Sequence, residues 1–275
     1  MKKYLPAFIL MVLVLACMEE TFSQPAANSI STAAANSGQV AWRRVENKAF
    51  SSGEKLYYDV RWGLILAGSA ELRLDSVEEI NSRKAYHMVA ESRSAPFFDV
   101  FYKVRNLDES WIDIESICSH KYQKRQRESG CTKEETTLFD HINRRFILTE
   151  KNKECEISVK EGSIPVFVQD ILSAFYYVRT MNLGEGGEYY MDAMTGDRNY
   201  SLKVLVHGRE KVSVPAGRFE CFKIEPFIVG DGLFKAKGRL WIWVTADDRK
   251  IPVLMRTKIS VGSVTASLTR MEPGR

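Results

Sequence analysis

From Trp42 onward, apolar side chains return at every second position in short runs separated by Gly, Pro, Asn and Asp. A period of two is that of a strand with one buried face. Residues 55–61 put Leu56, Tyr58 and Val60 on one side, and 70–74, 85–92, 97–104 and 110–114 continue the series. Residues 131–140 and 146–155 read as a hairpin about a turn at 140–145. Tyr200, Leu202, Val204 and Val206 alternate in the same way, and Pro215-Ala216-Gly217 turns the chain into 219–225. Residues 240–244, Leu-Trp-Ile-Trp-Val, are apolar on both faces and predict a strand covered on both sides. After a turn at 245–250, Val264, Ala266 and Leu268 close the series.

One segment has a different period. Ile171, Leu172, Phe175, Tyr176 and Val178 stand at helical spacing behind Asp170, whose carboxylate can accept the free amides of a first turn. Asn182 and Gly184 end the pattern, which predicts a helix over about 170–181. A lone helix among about a dozen antiparallel strands needs a large apolar surface to cover. The expected fold is therefore mainly β, a strongly curved antiparallel sheet or incomplete β-barrel with one embedded helix. It occupies a single β-rich domain, residues 42–275.

The first residues follow another logic. Lys2 and Lys3 precede an apolar run from Leu5 to Leu15, too short for a permanent membrane span, and Ala16 then precedes Cys17. Residues 1–16 read as a signal peptide. Val14-Leu15-Ala16-Cys17 resembles a lipobox, so Cys17 is the expected lipidation site and residues 17–41, rich in Ala, Ser and Asn, a flexible lipoprotein tether. The other reading is ordinary cleavage before Gln24, which leaves a soluble periplasmic or secreted chain. Glu19 and Glu20 resemble the acidic export signal of surface lipoproteins. The expected location is the bacterial cell envelope, on the periplasmic side or the surface of the outer membrane, with the membrane engaged through an N-terminal lipid anchor.

Five cysteines include Cys17, so lipidation there leaves an even four. The hairpin read at 131–155 sets Cys131 opposite Cys155, which leaves Cys118 for Cys221 as a second disulfide. No Cys pair has CxxC spacing and no His stands at metal-ligand spacing from a Cys, so neither metal nor cofactor is expected. A net charge of +4 with intermingled signs does not point to nucleic acid. The basic run 120–127 reads as the solvated face of a strand. His87, His120, His141 and His207 read as surface or edge residues, outside any nucleophile motif such as G-x-S-x-G. Among 35 acidic residues, carboxylate pairs for glycan hydrolysis arise by chance alone. Trp62, Phe98, Trp111, Phe175, Tyr176, Trp241 and Trp243 are candidate inward residues. They either fill a closed core or line an apolar cavity for an acyl chain or other apolar ligand. Arg239, Arg256 and Lys258 are candidate contacts for its head group, or else belong to a solvated face.

Four ordered stretches, Val168-Gln169-Asp170 through LSAFYYVRT, VSVPAGRFECFKIEP, GRLWIWVT and RKIPVLMRTKISVGSVTASL, resemble the C-terminal signature of a bacterial envelope family, domain of unknown function 3108. The resemblance runs from about Phe50 to Met271. It implies an exported protein and supplies no activity. The expected architecture also resembles the half-barrel lipoprotein carriers of the outer-membrane sorting pathway, an analogy of fold only. The leading expectation is a non-enzymatic binding or carrier protein for a hydrophobic or lipid-bearing ligand. The alternatives are an envelope scaffold that binds a protein partner, and a glycan hydrolase.

Overall fold

The computed structural model describes residues 41–152, 154–229, 239–259 and 262–275. The expected signal peptide, Cys17 and the tether up to residue 40 lie outside the described residues. The strands are β1 (Lys55–Trp62), β2 (Ile65–Ile80), β3 (Arg83–Ser94), β4 (Arg105–Asp113), β5 (Ser119–Glu128), β6 (Cys131–Asp140) and β7 (Arg145–Lys151). They continue as β8 (Ile157–Ser163), β9 (Glu188–Thr195), β10 (Arg198–Val214), β11 (Gly217–Val229), β12 (Leu240–Thr245), β13 (Pro252–Lys258) and β14 (Ser263–Glu272). Among the described residues two helices interrupt them, α1 (Pro96–Asp99) and α2 (Ile171–Thr180).

All the strands belong to one 14-stranded sheet in the order β8-β7-β6-β5-β4-β3-β2-β1-β14-β13-β12-β11-β10-β9. Every neighbour is antiparallel and next in sequence, except that β1 pairs with β14. The sheet is thus an up-and-down meander whose first and last strands are joined, with its opening between β8 and β9. Laid flat, 13 spacings of ~4.8 Å would hold those two edges about 60 Å apart. Instead Lys160 of β8 lies 3.4 Å from Asp197 in the β9–β10 turn, and Asn199 of β10 donates to the Ser163 carbonyl of β8 at 2.7 Å. The sheet must therefore curl back on itself. Bulges at Val60/Arg61, Leu74/Ser76 and Val206/Gly208 supply bends along the long strands.

Helix α2 packs inside the curled sheet. Its N-cap is Asp170, whose Oδ1 accepts the Leu172 amide at 2.7 Å and the Ser173 amide at 2.9 Å, as the sequence predicts. Leu172 and Tyr176 enter one buried cluster with Leu56, Leu74, Ile112 and Leu148, while Ala174 and Val178 enter another with Val204, Val206 and Ile224. Two residues along a helix turn about 200°, so opposite sides of α2 are buried. Residues 167–170 extend the closure: the Gln169 amide donates to Asp192 of β9 at 2.9 Å and the Ser119 amide to Val168 at 3.4 Å.

Three readings of the sequence change here. Residues 97–104 form no strand. The ladder stops at Ser94 because Pro96 has no amide to give it, and the chain makes the single turn α1. The basic run is only half solvated: His120, Tyr122 and Lys124 of β5 point inward and are buried, while Arg125 and Arg127 face out. The two disulfides are not formed, and Cys118, Cys131, Cys155 and Cys221 are free thiols. β7 ends at Lys151 opposite Glu134, so Cys155 sits in the following turn rather than across from Cys131. Among the described residues no helix is long and apolar enough to cross a membrane.

The other end of α2 is held by charge. Arg179, buried, donates Nη1 and Nη2 to the two carboxylate oxygens of buried Glu54 at 2.6 and 2.8 Å. It also donates to the carbonyls of Ala49 (3.1 Å) and Arg249 (3.1 Å), and Tyr176 donates to Glu54 at 3.2 Å. Arg179→Met would leave Glu54 buried without its ion partner and should cost about 3–5 kcal/mol in chemical denaturation. A second change, Glu54→Gln, should restore part of that loss. A cost within error for Arg179→Met would mean that the pair does not hold the helix.

Candidate functional site

Two concavities collect the inward side chains. The first lies between α2 and the strands β1–β4 and β9–β14, with a volume of about 150 Å³. From α2 it takes Ile171, Ala174, Phe175 and Val178. The facing strands contribute Leu202 and Val204 of β10, Ile224 of β11, Leu240 and Ile242 of β12, and Met255 of β13. Its origin is legible in residue size: Ala70, Ala90, Ala174, Ala193 and Ala266 all lie on its wall, where larger side chains would close it. A few polar groups interrupt the apolar lining, among them Asp108 and Tyr200. Asp108 accepts the hydroxyl of buried Tyr122 at 2.6 Å. Lys124 stands opposite Asp108 in the β4–β5 register, and Glu135 opposite Lys124 in that of β5–β6. One wall of the cavity thus borders a row of buried charged positions.

Of the seven aromatic residues expected to line a cavity, Phe175 lies on this wall. Tyr176 points the other way, to Glu54. Because Leu240, Ile242 and Val244 of β12 face the cavity, pleating turns Trp241 and Trp243 to the opposite face. There Trp243 donates its indole N–H to Glu210 at 2.8 Å, and the Lys223 ammonium lies 5.7 and 5.3 Å from the two indoles. Trp111 likewise faces away, stacked on His87 at 4.5 Å and donating to Glu78 at 2.7 Å. Trp62 and Phe98 pack instead on a separate small cluster of Val60, Ala67, Ile259 and Val264. Of the three expected cations, Arg256 borders the cavity but stands opposite Trp241 in the β12–β13 register, its guanidinium 5.7 Å over the Trp243 ring on the far face; Arg239 pairs with Glu225 at 3.2 Å, and Lys258 is exposed. Arg239 and Lys258 are neighbours, because the Lys258 amide donates to the Arg239 carbonyl at 3.0 Å.

The second concavity, about 620 Å³, opens at the ends of the β2–β3 and β6–β7 turns and is lined by Trp42, Arg83, Phe139, His120 and His141. His120 and His141 are both buried, against the expectation of surface residues, because Trp42 of the entering chain covers them at 5.8 Å each. His120 Nε2 is 2.9 Å from Asp113, which also takes Arg83 Nη2 at 2.9 Å and the amides of Glu115 and Ser116. Burial alone would raise the Asp113 carboxyl. The hydrogen bonds from His120, Arg83 and the Ser116 amide outweigh it and hold the group well below the usual carboxylate range. Among the described residues no hydroxyl or thiol hydrogen-bonds to His120, and burial pushes the nearby Cys118 thiol up to about 12. The Asp–His pair here stabilises a turn and presents no activated nucleophile. Asp170 is pushed up by burial, yet its carboxylate is fully engaged by Ser110 at 2.5 Å and by the first turn of α2. Among the described residues no group of His, Cys, Asp and Glu is arranged to hold a metal ion.

His141 makes this end of the molecule sensitive to acid. Its Nδ1 accepts the Phe167 amide at 3.2 Å, so the proton sits on Nε2, which donates to the Ser119 carbonyl at 2.7 Å. Burial pushes its pKa down to about 4. The unfolded chain takes up this proton near pH 6.5 and the folded one does not, so stability present above that value is lost as pH falls toward 4. Asp113, held low, contributes no change until more acid conditions. Unfolding free energy should therefore drop by about 2 kcal/mol between pH 7 and 5, and His141→Asn should flatten that slope in urea titrations. An unchanged slope would contradict the neutral, buried assignment.

In fold the chain is similar to a beta-barrel-like protein of domain of unknown function DUF1849 from Brucella abortus, with a TM-score of 0.53 and 8% identity. That likeness covers 80% of this chain and 97% of the other. Looser likenesses join it to a candidate exported protein with a YmcC-like fold from Bacteroides fragilis NCTC 9343 (TM-score 0.32, 14% identity, 83% and 99% covered). Another joins it to a candidate lipoprotein from Parabacteroides distasonis ATCC 8503 (TM-score 0.30, 10% identity, 84% and 99% covered). No curated protein matches the chain. The model of the family described as "Protein of unknown function (DUF3108)" matches residues 57–269, most of the curled sheet with its embedded helix, and the chain belongs to that family.

Proposed function

We propose that this protein is an envelope lipoprotein, anchored through Cys17, that binds a small apolar group or one segment of a lipid chain between α2 and the sheet. The observation that carries this reading is the apolar cavity of about 150 Å³. A void of this size lined by aliphatic side chains stays dry and accommodates a benzene-sized group. Keeping it empty leaves lining atoms without contact partners, a cost that a bound apolar group removes. Tyr200 on the wall provides a polar contact for a head group, while the Arg256 guanidinium lies over Trp243 on the far face, and Trp241, Trp243 and Lys258 take no part in lining the cavity. The signal sequence and lipobox support an address in the envelope, where apolar ligands of this kind are abundant.

Native mass spectrometry of the full chain from an envelope fraction, followed by identification of extracted lipids, tests this directly. One apolar ligand per chain is expected. Ala174→Phe puts a ring into the cavity from α2 and should abolish that added mass, with the thermal midpoint kept within a few degrees. A wild-type chain that stays free of ligand, even after incubation with fatty acid and phospholipid, would overturn the reading.

A further inference from the structure

Two adjoining turns at one end of the sheet carry apolar side chains out into solvent. On the β1–β2 turn Leu64 is 93% exposed and Ile65 52%; on α1 and the residues after it, Phe97, Val100 and Phe101 are 66%, 80% and 60% exposed. The Ala95 amide donates to the Ala67 carbonyl at 2.8 Å, and Phe98 and Trp62 pack on one shared cluster, so the turns form a single patch. Scattered exposed apolar residues are normal, whereas a contiguous set marks an interaction surface.

Both turns are held in place from below. Arg61 Nη1 donates to the Leu64 carbonyl at 3.1 Å, and Asp99 of α1 accepts Arg105 Nη2 at 2.6 Å. The two turns themselves carry little negative charge, the nearby Glu128 being engaged by the Tyr102 hydroxyl at 2.8 Å. Residues 60–68 contain no acidic side chain, and 94–104 contain only Asp99, which Arg105 neutralises. Exposed Lys103 follows α1. Lys258, exposed, lies opposite Ser263, whose carbonyl accepts the Gly63 amide of the first turn at 3.0 Å; Arg239 beside it is paired with Glu225.

We propose that this rim docks onto a lipid bilayer bearing anionic phospholipid. Leu64 and Val100 stand at turn tips with little beside them, a convex shape that suits a fluid interface better than the flat, packed patch of a protein partner. Flanking Lys103 and Lys258, both exposed, add attraction to anionic head groups. The chain outside the described residues reaches far enough to allow it. Trp42 stacks on Arg83 at 4.0 Å, at the far end of β2 from Leu64, and that 16-residue strand spans about 53 Å. Residues 17–40 extended reach about 80 Å, so a lipid on Cys17 can sit in the bilayer that the rim touches. Ala70 and Val264 belong both to the apolar groups under the rim and to the cavity wall. The purpose of docking rests on the proposed cavity function: an apolar ligand passes between bilayer and cavity without crossing water.

Hydrogen exchange of the full chain, reconstituted in vesicles of phosphatidylethanolamine and phosphatidylglycerol, tests docking apart from ligand binding. The probe is a comparison of wild type with the double variant Leu64→Glu/Val100→Glu, whose sites are too exposed for the fold to depend on them. The amides of Ile65, Phe98 and Phe101 should exchange at least about tenfold faster in the variant, the factor that ~1.4 kcal/mol of lost apolar burial carries. Omitting phosphatidylglycerol should narrow the difference. Equal exchange in the two chains overturns the proposal. So does protection that persists without vesicles and grows with protein concentration, which would assign the patch to a second copy. Ligand mass in the same variant separates the two readings: ligand kept with docking lost leaves the cavity function standing.

Discussion

A helix inside a curled sheet has no water to satisfy its ends, and this one solves the problem with a carboxylate at the first turn and a guanidinium at the last. Asp170 takes the free amides of α2 and ties them to Ser110 of β4. Arg179 ties the far end to Glu54, just before β1, and to the carbonyl of Arg249 between β12 and β13. The signs match the helix dipole, negative at the N-terminus and positive at the C-terminus. The helix is thereby fixed to both halves of the sheet, whose only shared ladder is that of β1 with β14. The cavity, the closure of the opening and the two buried clusters all follow from where this helix is held.

Given that position, side-chain size decides what the interior can do. Where Tyr176 meets Leu56 and Leu74, bulky side chains pack in one buried cluster. Around Ala174, small residues of four strands face one another, and the sheet, tethered to a rigid helix, cannot collapse into the gap. The second concavity is different in kind. Its histidines and Asp113 are tied into turn-stabilising hydrogen bonds, with Trp42 drawn over them.

The meander and its helix were legible because their signals are local and strong. Alternation at 55–61 and 264–268, and the Asp170 cap before an apolar run, need no tertiary context to be read. The cavity wall was less legible. The eye goes to large aromatics, yet Trp241 and Trp243 alternate with the aliphatic residues that face inward, and in a strand with both faces apolar nothing marks which side is which. The signal for the void was the recurrence of alanine at inward positions, visible only once strand registers are known. His120 and Lys124 were misread because a run of charges resembles a solvated face until a neighbouring carboxylate, Asp113 or Asp108, is found across the ladder. Strand β8 was missed because its residues are almost all exposed and carry no alternation. The Cys131–Cys155 pairing rested on a hairpin extended four residues beyond the point where β7 ends at Lys151.

The pairing of β1 with β14 has a consequence for how the molecule is made. Tyr57 and Glu272, 215 positions apart, are hydrogen-bonded neighbours, so the first strand waits for the last before its ladder is complete. Such long-range closure makes folding slow. During synthesis from the N-terminus, β1 therefore has only β2 beside it until β14 is made, and the two arms of the meander stay unjoined at their shared seam until the last strand arrives.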